Sequence, residues 1–220
     1  HGFLITTTED KSYQVGAVLL CTGTEHRRLM CENISQFEGR GVSYCATCDG
    51  FFFKGKNVAV VGGGNSALIE AIYLKQIGCK HVYLIHRRDQ FRAEEAYVKD
   101  AEQAGVEFLR NSEVESVDGA ELLSSITLHD NITNETKKID VDGLFISIGV
   151  VPQNKLARDL GVTLDDHEYI KVDQQMRTNV KGVYAAGDIT GGLRQIVTAA
   201  AEGAIAALTS TEALGKQYPY

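Results

Sequence analysis

Two cysteines three positions apart, Cys45 and Cys48, are followed directly by a carboxylate in the run Cys45-Ala46-Thr47-Cys48-Asp49. Thiols at this spacing can close a disulfide, hold a metal or pack inertly. Structural zinc takes four ligands, usually from two such pairs. Cys21, Cys31 and Cys79 make no second close pair and no histidine stands at ligand spacing, so no metal site is expected. Those three are read as structural, because free cysteine is often buried. Two inert core thiols remain possible for Cys45 and Cys48. A dithiol that cycles with its disulfide is favoured, because a dinucleotide-type turn follows close behind. Asp49 could hand a proton to the thiolate that leaves when a disulfide breaks. Its alternative role is a cap, or a turn with Gly50.

The turn in question is Gly62-Gly63-Gly64-Asn65-Ser66-Ala67, which fits G-x-G-x-x-A and follows the apolar run Val58-Ala59-Val60-Val61. The first glycine of such a turn allows a tight bend, the second lets backbone approach a pyrophosphate, and the small Ala67 allows close helix–strand packing. The pyrophosphate would rest on free amides at the following helix N-terminus, where Gly62, Gly64, Asn65 and Ser66 stand. The end of the next strand selects the dinucleotide. An NAD site wants an acidic residue about 20 residues beyond the glycines. Here that place holds His86-Arg87-Arg88, with Arg92 one helical turn on and no carboxylate at the strand end. Guanidinium forks suit a 2′-phosphate, so NADP(H) is expected. The plain alternative is a solvated basic face.

The elements that must position these groups are of α/β type. An apolar strand at 57–61, a helix at 65–77, a strand at 81–85, a polar-faced helix at 90–104 and a short strand at 106–110 alternate. That pattern implies a parallel sheet. Alternating patterns at 114–117, 122–128 and 137–141, separated by turn residues, predict an antiparallel meander. A buried strand at 144–148 then ends at Gly149, which places Ile148 and Gly149 among the expected cofactor-binding residues. Residues 3–7 and 13–21 read as two strands with little turn chemistry between them. Short strands are expected at 169–172 and 183–186, and an alanine-rich helix at 195–214. The chain has 220 residues and a net charge of −7. That charge argues against a general nucleic-acid or membrane-surface binder. No apolar run approaches the roughly 20 residues needed to span a bilayer. The first residues do not read as a secretory signal, and a cytoplasmic location is expected.

Four motifs in one order carry a family resemblance: Cys45-Ala46-Thr47-Cys48-Asp49-Gly50-Phe51, the glycine turn, His86-Arg87-Arg88-Asp89-Gln90-Phe91-Arg92-Ala93, and Gly182-Val183-Tyr184-Ala185-Ala186-Gly187-Asp188 followed by Arg194-Gln195. Together they resemble the low-molecular-weight thioredoxin reductases. The resemblance implies an α/β fold in which a Rossmann-like NADP-binding domain, with parallel sheet and β-meander, is inserted in a partial FAD-binding domain. Residues 1–25 and 154–220 would belong to the FAD domain, and 26–153 to the NADP domain with the redox pair. Asp188, after Gly187, would hold the ribityl chain of FAD. Arg194, Gln195 and Ile196 would lie near its ring or phosphates, and Thr22 and Gly23 would line it. Cys48 would be the flavin-proximal thiol, Cys45 the one that attacks a partner, and Asp49 the acid–base group.

The implied activity is that of a flavoprotein oxidoreductase of the thioredoxin-disulfide reductase class. Electrons would pass from NADPH through FAD and the Cys45–Cys48 pair to thioredoxin or a similar dithiol protein. The intact protein would be a homodimer with hinges near 36–41 and 149–154. Family members begin with a further G-x-G-x-x-G unit that this sequence lacks, so it is expected to be a fragment. A flavin reductase serving a peroxidase, or a nucleotide-binding module without turnover, are the alternative readings.

Overall fold

In the computed structural model, residues 2–216 are described. They divide into two compact units, one made of the chain up to Glu25 and from Val150 onward, the other of His26–Gly149. In chain order the regular elements begin with β1 (Phe3–Thr6), β2 (Ser12–Val15), β3 (Val18–Leu20) and β4 (Thr24–His26). Next come β5 (Val42–Ser43), α1 (Ala46–Asp49), β6 (Asn57–Gly62), α2 (Asn65–Gln76), β7 (His81–His86), α3 (Glu95–Gln103) and β8 (Glu107–Arg110). β9 (Ser112–Gly119), β10 (Leu123–Asp130), β11 (Thr136–Asp140) and β12 (Gly143–Ser147) follow. The chain ends with β13 (Val150–Pro152), α4 (Lys155–Asp159), β14 (Val183–Ala185) and α5 (Ile196–Ser210).

The second unit is a five-stranded sheet in the order β5-β12-β6-β7-β8, and every neighbouring pair is parallel. Successive side chains on a strand point to opposite faces, and β6 shows the consequence. Val58 and Val60 pack with Ala67, Leu68, Ala71 and Leu74 of α2, while Ala59 and Val61 pack with Val114, Val117, Ile126 and Leu128 of the antiparallel sheet β11-β10-β9. A parallel strand covered on both faces must be apolar along its whole length, which is why 57–62 shows no alternation. The Rossmann-like α/β sheet and the meander therefore stand as the sequence predicts.

In the first unit, β14 runs parallel to β3, and Val183, Ala185, Leu20 and Ile189 form its core with Ile170 and Val162. β1 and β2 form a hairpin. The Thr7 hydroxyl accepts from the Glu9 and Lys11 amides, and Asp10 takes a left-handed φ of 57°. Turn chemistry is thus present between the first two strands, where little was read from sequence.

Other elements differ from their sequence patterns. The strand expected over 13–21 breaks at Gly16 and Ala17. Residues 169–172 form only an isolated bridge, Leu164 with Ile170. The final helix stops at Ser210 and tightens into a 3-10 turn, Thr211–Leu214. α3 begins at Glu95 rather than near 90. The residues before it give their polar groups to the glycine turn, as described next.

Candidate functional site

The redox pair is built on a very short helix. Cys45 is the N-cap of α1, and its Sγ accepts the Cys48 amide at 3.2 Å. Cys45 and Cys48 are joined as a disulfide, with Cα atoms 5.3 Å apart. Cys48 is exposed and Cys45 partly shielded, while the other three cysteines are free thiols. Asp49 closes the helix. Its Oδ2 accepts the Ser43 hydroxyl at 2.6 Å, and Ser43 Oγ in turn accepts the Cys45 amide at 3.1 Å. Ser43 is 7% exposed at the end of β5, paired in register with Phe145 of β12. Sequence reasoning did not single it out, because a serine one residue outside a motif carries no spacing signal. Ser43 and Asp49 also line a cavity of about 330 Å³, shared with Arg40, Lys56, Asp142 and Phe53. Phe51 and Phe52, directly after the pair, are 71% and 73% exposed.

The dinucleotide turn lies at the carboxyl end of the sheet, where β6 leads outward to β7 and β8 while β12 lies on its other side. Such a switch point is where open α/β sheets bind ligands. The three glycines have different reasons. A Cβ on Gly62 would stand 2.4 Å from the Ser147 carbonyl oxygen and 2.6 Å from Ala67 Cβ, so strand, helix and β12 close up only on a glycine. A Cβ on Gly63 would lie 2.2 Å from the His86 ring. Nothing lies within 4 Å of the Cβ position at Gly64, the N-cap of α2. That open face beside free helix amides is the place a pyrophosphate would take. Asn65 and Ser66 supply the first turn of α2. Ile148 and Gly149 follow β12 at the same sheet end, where Ser147 pairs with Gly62 and the Gly149 carbonyl accepts the Arg27 amide.

The strand-end cluster divides into a buried and an exposed part. His86 is buried, its Nε2 lies 3.1 Å from the Gln90 carbonyl, and its ring stacks on Phe91. Burial, then the charges of Arg92 and Arg87, lower the pKa of the imidazole. Arg87, Arg88 and Arg92 are exposed, and none makes an ion pair among the described residues. Their backbone is fixed instead. The Arg87 carbonyl accepts Asn131 Nδ2, the Arg88 carbonyl the Asn111 amide, and the Arg92 amide donates to the Gly63 carbonyl at 2.7 Å. Asn65 and Glu94 exchange two 2.9 Å bonds, side chain to side chain and amide to Asn65 Oδ1. Those bonds hold 90–94 to the turn and delay α3. Arg110 stands opposite His86 on β8 and stacks on Phe91 and Phe108. Neither Glu94 nor Arg110 was visible as a site neighbour, since Glu94 meets Asn65 from 29 residues away and Arg110 depends on cross-strand register.

On the first unit, the parallel pairing of β3 and β14 brings Thr22 and Gly23 to the same end as Gly187 and Asp188. Thr22 Oγ1 donates to the Gln153 carbonyl, and Gly187 takes a φ of 82° that suits glycine alone. The Gly187 amide and the Thr190 hydroxyl both donate to Glu202, a residue sequence reasoning passed over. The Asp188 carboxylate stays unpaired among the described residues. Arg194 donates to the Tyr169 hydroxyl, Gln195 is the N-cap of α5, and Ile196 is exposed.

Fold and geometry define a class: a Rossmann-like sheet that carries a disulfide-forming cysteine pair and a free helix N-terminus on one unit. The family model for pyridine nucleotide-disulphide oxidoreductases matches residues 3–203. The thioredoxin reductase of Listeria monocytogenes is 43% identical over 213 residues, covering 93% of this chain and 64% of that protein. That of Helicobacter pylori J99 is 42% identical, covering 94% and 68%. The crystal structure of thioredoxin reductase from Streptococcus pyogenes superposes with a TM-score of 0.86 at 35% identity, covering 97% of this chain and 74% of that one. The chain belongs to the pyridine nucleotide-disulphide oxidoreductase family, and within it to the low-molecular-weight thioredoxin reductases. It spans about two thirds of the length of the relatives it matches. Among the described residues no helix is long and apolar enough to cross a membrane.

Proposed function

We propose that this chain is the nucleotide-binding and thiol-reacting part of a cytoplasmic NADPH-dependent flavoprotein that reduces thioredoxin or a similar dithiol protein. The observation that carries this reading is the placement, on one unit, of the Cys45–Cys48 disulfide and an open helix N-terminus flanked by three unpaired arginines. Bound NADPH would supply a hydride, and bound FAD would pass its two electrons to the disulfide. Gly64, Asn65 and Ser66 would hold the pyrophosphate, with Arg87, Arg88 and Arg92 on the 2′-phosphate. Ile148 and Gly149 would line the crevice. On the first unit Asp188, Gly187, Thr22, Gly23, Arg194, Gln195 and Ile196 would hold the flavin.

Once the pair is a dithiol, Asp49 takes the Cys45 proton and the Cys45 thiolate attacks one sulfur of the partner disulfide. The partner S–S bond breaks, its leaving thiolate takes the proton back from Asp49, and a mixed disulfide remains on Cys45. Cys48 then attacks Cys45 Sγ, its own proton passes to the second leaving sulfur, and the Cys45–Cys48 bond reforms. The partner gains two electrons and two protons, and the pair loses them. The exposed Phe51 and Phe52 offer an apolar landing surface beside the attacking sulfur.

Trapping tests this reading. The Cys48→Ser chain, mixed with oxidised thioredoxin, should accumulate a one-to-one mixed disulfide through Cys45, seen by mass spectrometry without reductant. Cys45→Ser should give far less. A stoichiometric zinc ion in the wild-type chain, or no adduct from either variant, would overturn it.

A further inference from the structure

We propose that Ser43 is a positioning residue for the thiol–disulfide reaction: its buried hydroxyl ties the carboxylate of Asp49 to the Cys45 end of the redox pair. The inference rests on the reading of Asp49 as the acid–base group and extends it to a residue outside the motif. Ser43 Oγ touches both partners, donating to Asp49 Oδ2 at 2.6 Å and accepting the Cys45 amide at 3.1 Å. A second acceptor, the Cys45 carbonyl oxygen, lies 3.5 Å away. The hydroxyl therefore has a place to turn when Asp49 carries a proton. It donates to the carboxylate when Asp49 is ionised, and toward the Cys45 carbonyl when Asp49 is protonated.

The geometry leaves Ser43 little freedom to do anything else. It is 7% exposed, its backbone is paired with Phe145 in the parallel sheet, and among the described residues its hydroxyl hydrogen-bonds only Asp49 and Cys45. The Asp49 carboxylate, by contrast, ends a four-residue helix and accepts no other hydrogen bond among the described residues. A carboxylate so placed would be free to rotate away from the sulfurs without Ser43. Both residues line the cavity of about 330 Å³, together with Arg40, Lys56 and Asp142. A space of that size admits roughly ten waters. It gives Asp49 a water-filled route for proton exchange.

The test uses the 220-residue chain with its free thiols alkylated while the pair is oxidised, and the pair then reduced. Two probe disulfides are compared at neutral pH. Oxidised glutathione has an alkyl leaving thiolate that needs a proton. 5,5′-Dithiobis(2-nitrobenzoate) has an aromatic leaving thiolate that is stable without one. Each rate is divided by the rate of iodoacetamide alkylation at Cys45, read from the Cys45 peptide by mass spectrometry. Ser43→Ala should slow the glutathione reaction about tenfold, a part of the usual contribution of an acid–base group, and change the aromatic reaction less than about twofold. The same contrast should separate Ser43→Val from Ser43→Thr, which differ only in the hydroxyl, with Thr restoring the rate. Asp49→Asn should slow the glutathione reaction at least as much. A glutathione rate lost in Asp49→Asn but kept in Ser43→Ala would overturn the role of Ser43 and leave that of Asp49. Equal slowing of both probes in Ser43→Ala would reduce Ser43 to packing support. Unchanged rates in Asp49→Asn would overturn both.

Discussion

Arg87 and Arg88 have their backbones held by Asn131 and Asn111 and their guanidinium groups left unpaired among the described residues, so their charge is available to a ligand. Replacing both with Ala should weaken NADPH much more than NADH, because only NADPH carries the 2′-phosphate. Each charge-assisted bond lost is worth about 1.5–3 kcal/mol, so a loss of two decades or more is expected in calorimetric titration. Equal losses for the two nucleotides would disprove the assignment. Glu70 is a second residue-scale case. It sits on α2, one of its carboxylate oxygens is buried with no partner, and burial raises its pKa from 4.5 to about 7 against a Ser147 hydrogen bond. The folded chain therefore keeps a proton between pH 4.5 and about 7 that the unfolded chain has released. Stability present below pH 4.5 should fall as pH rises through that window and level off above it, by at most the order of 3 kcal/mol. Urea unfolding at pH 5 and pH 8 measures this, and Glu70→Gln should flatten the slope.

At the scale of elements, the glycine turn separates folding from binding within three residues. Gly62 and Gly63 are required by contacts inside the unit, with Ser147, Ala67 and His86, and neither has a positive φ. Gly64 meets nothing. Gly62→Ala should lower the melting temperature by several degrees, because backbone of β12 must give way. Gly64→Ala should leave melting within about a degree and cut NADPH affinity at least tenfold. A Gly64→Ala chain that binds normally would remove the pyrophosphate from this turn. The α/β pattern was legible because β6 is a short, wholly apolar run that ends in glycines and α2 follows directly as an apolar-rich segment of helix length. The start of α3 was not. The helix-like stretch 90–94 is bent to serve the turn, through Arg92 to Gly63 and Glu94 to Asn65, and those partners lie far away in sequence.

At the scale of the whole molecule, the two units carry unequal shares of the binding groups. The second has a complete sheet, covered on both faces, and the chain's single dinucleotide-type glycine turn. The first offers Asp188 and its neighbours but no such turn for the pyrophosphate of a flavin dinucleotide. The purified 220-residue chain should accordingly retain far less than one FAD after dialysis, read from absorbance near 450 nm, while it still binds NADPH. Stoichiometric flavin with normal disulfide reduction would show that the groups on the first unit suffice. The hinge expected at 36–41 falls inside the second unit, since the chain passes between units at Glu25–His26 and Gly149–Val150. The segment Phe37–Val42 is held there by its own backbone bonds, including Val42 to Phe37 and Leu123 to Arg40.

The sequence by itself determined which chemical groups are candidates. Two thiols at fixed spacing, a carboxylate beside them, a strand running into glycines and basic residues at the next strand end are local features, and local features survive without coordinates. Tertiary structure decided which groups support them. Ser43 at the end of β5 bonds Asp49 at the end of α1, six residues on. His86 fills the space that Gly63 leaves, Glu94 clamps Asn65, and Glu202 holds the turn that carries Asp188. Each of these is a hydrogen bond or a close contact whose two halves meet only when the chain turns back on itself, and a one-dimensional pattern carries no record of which residues that brings together.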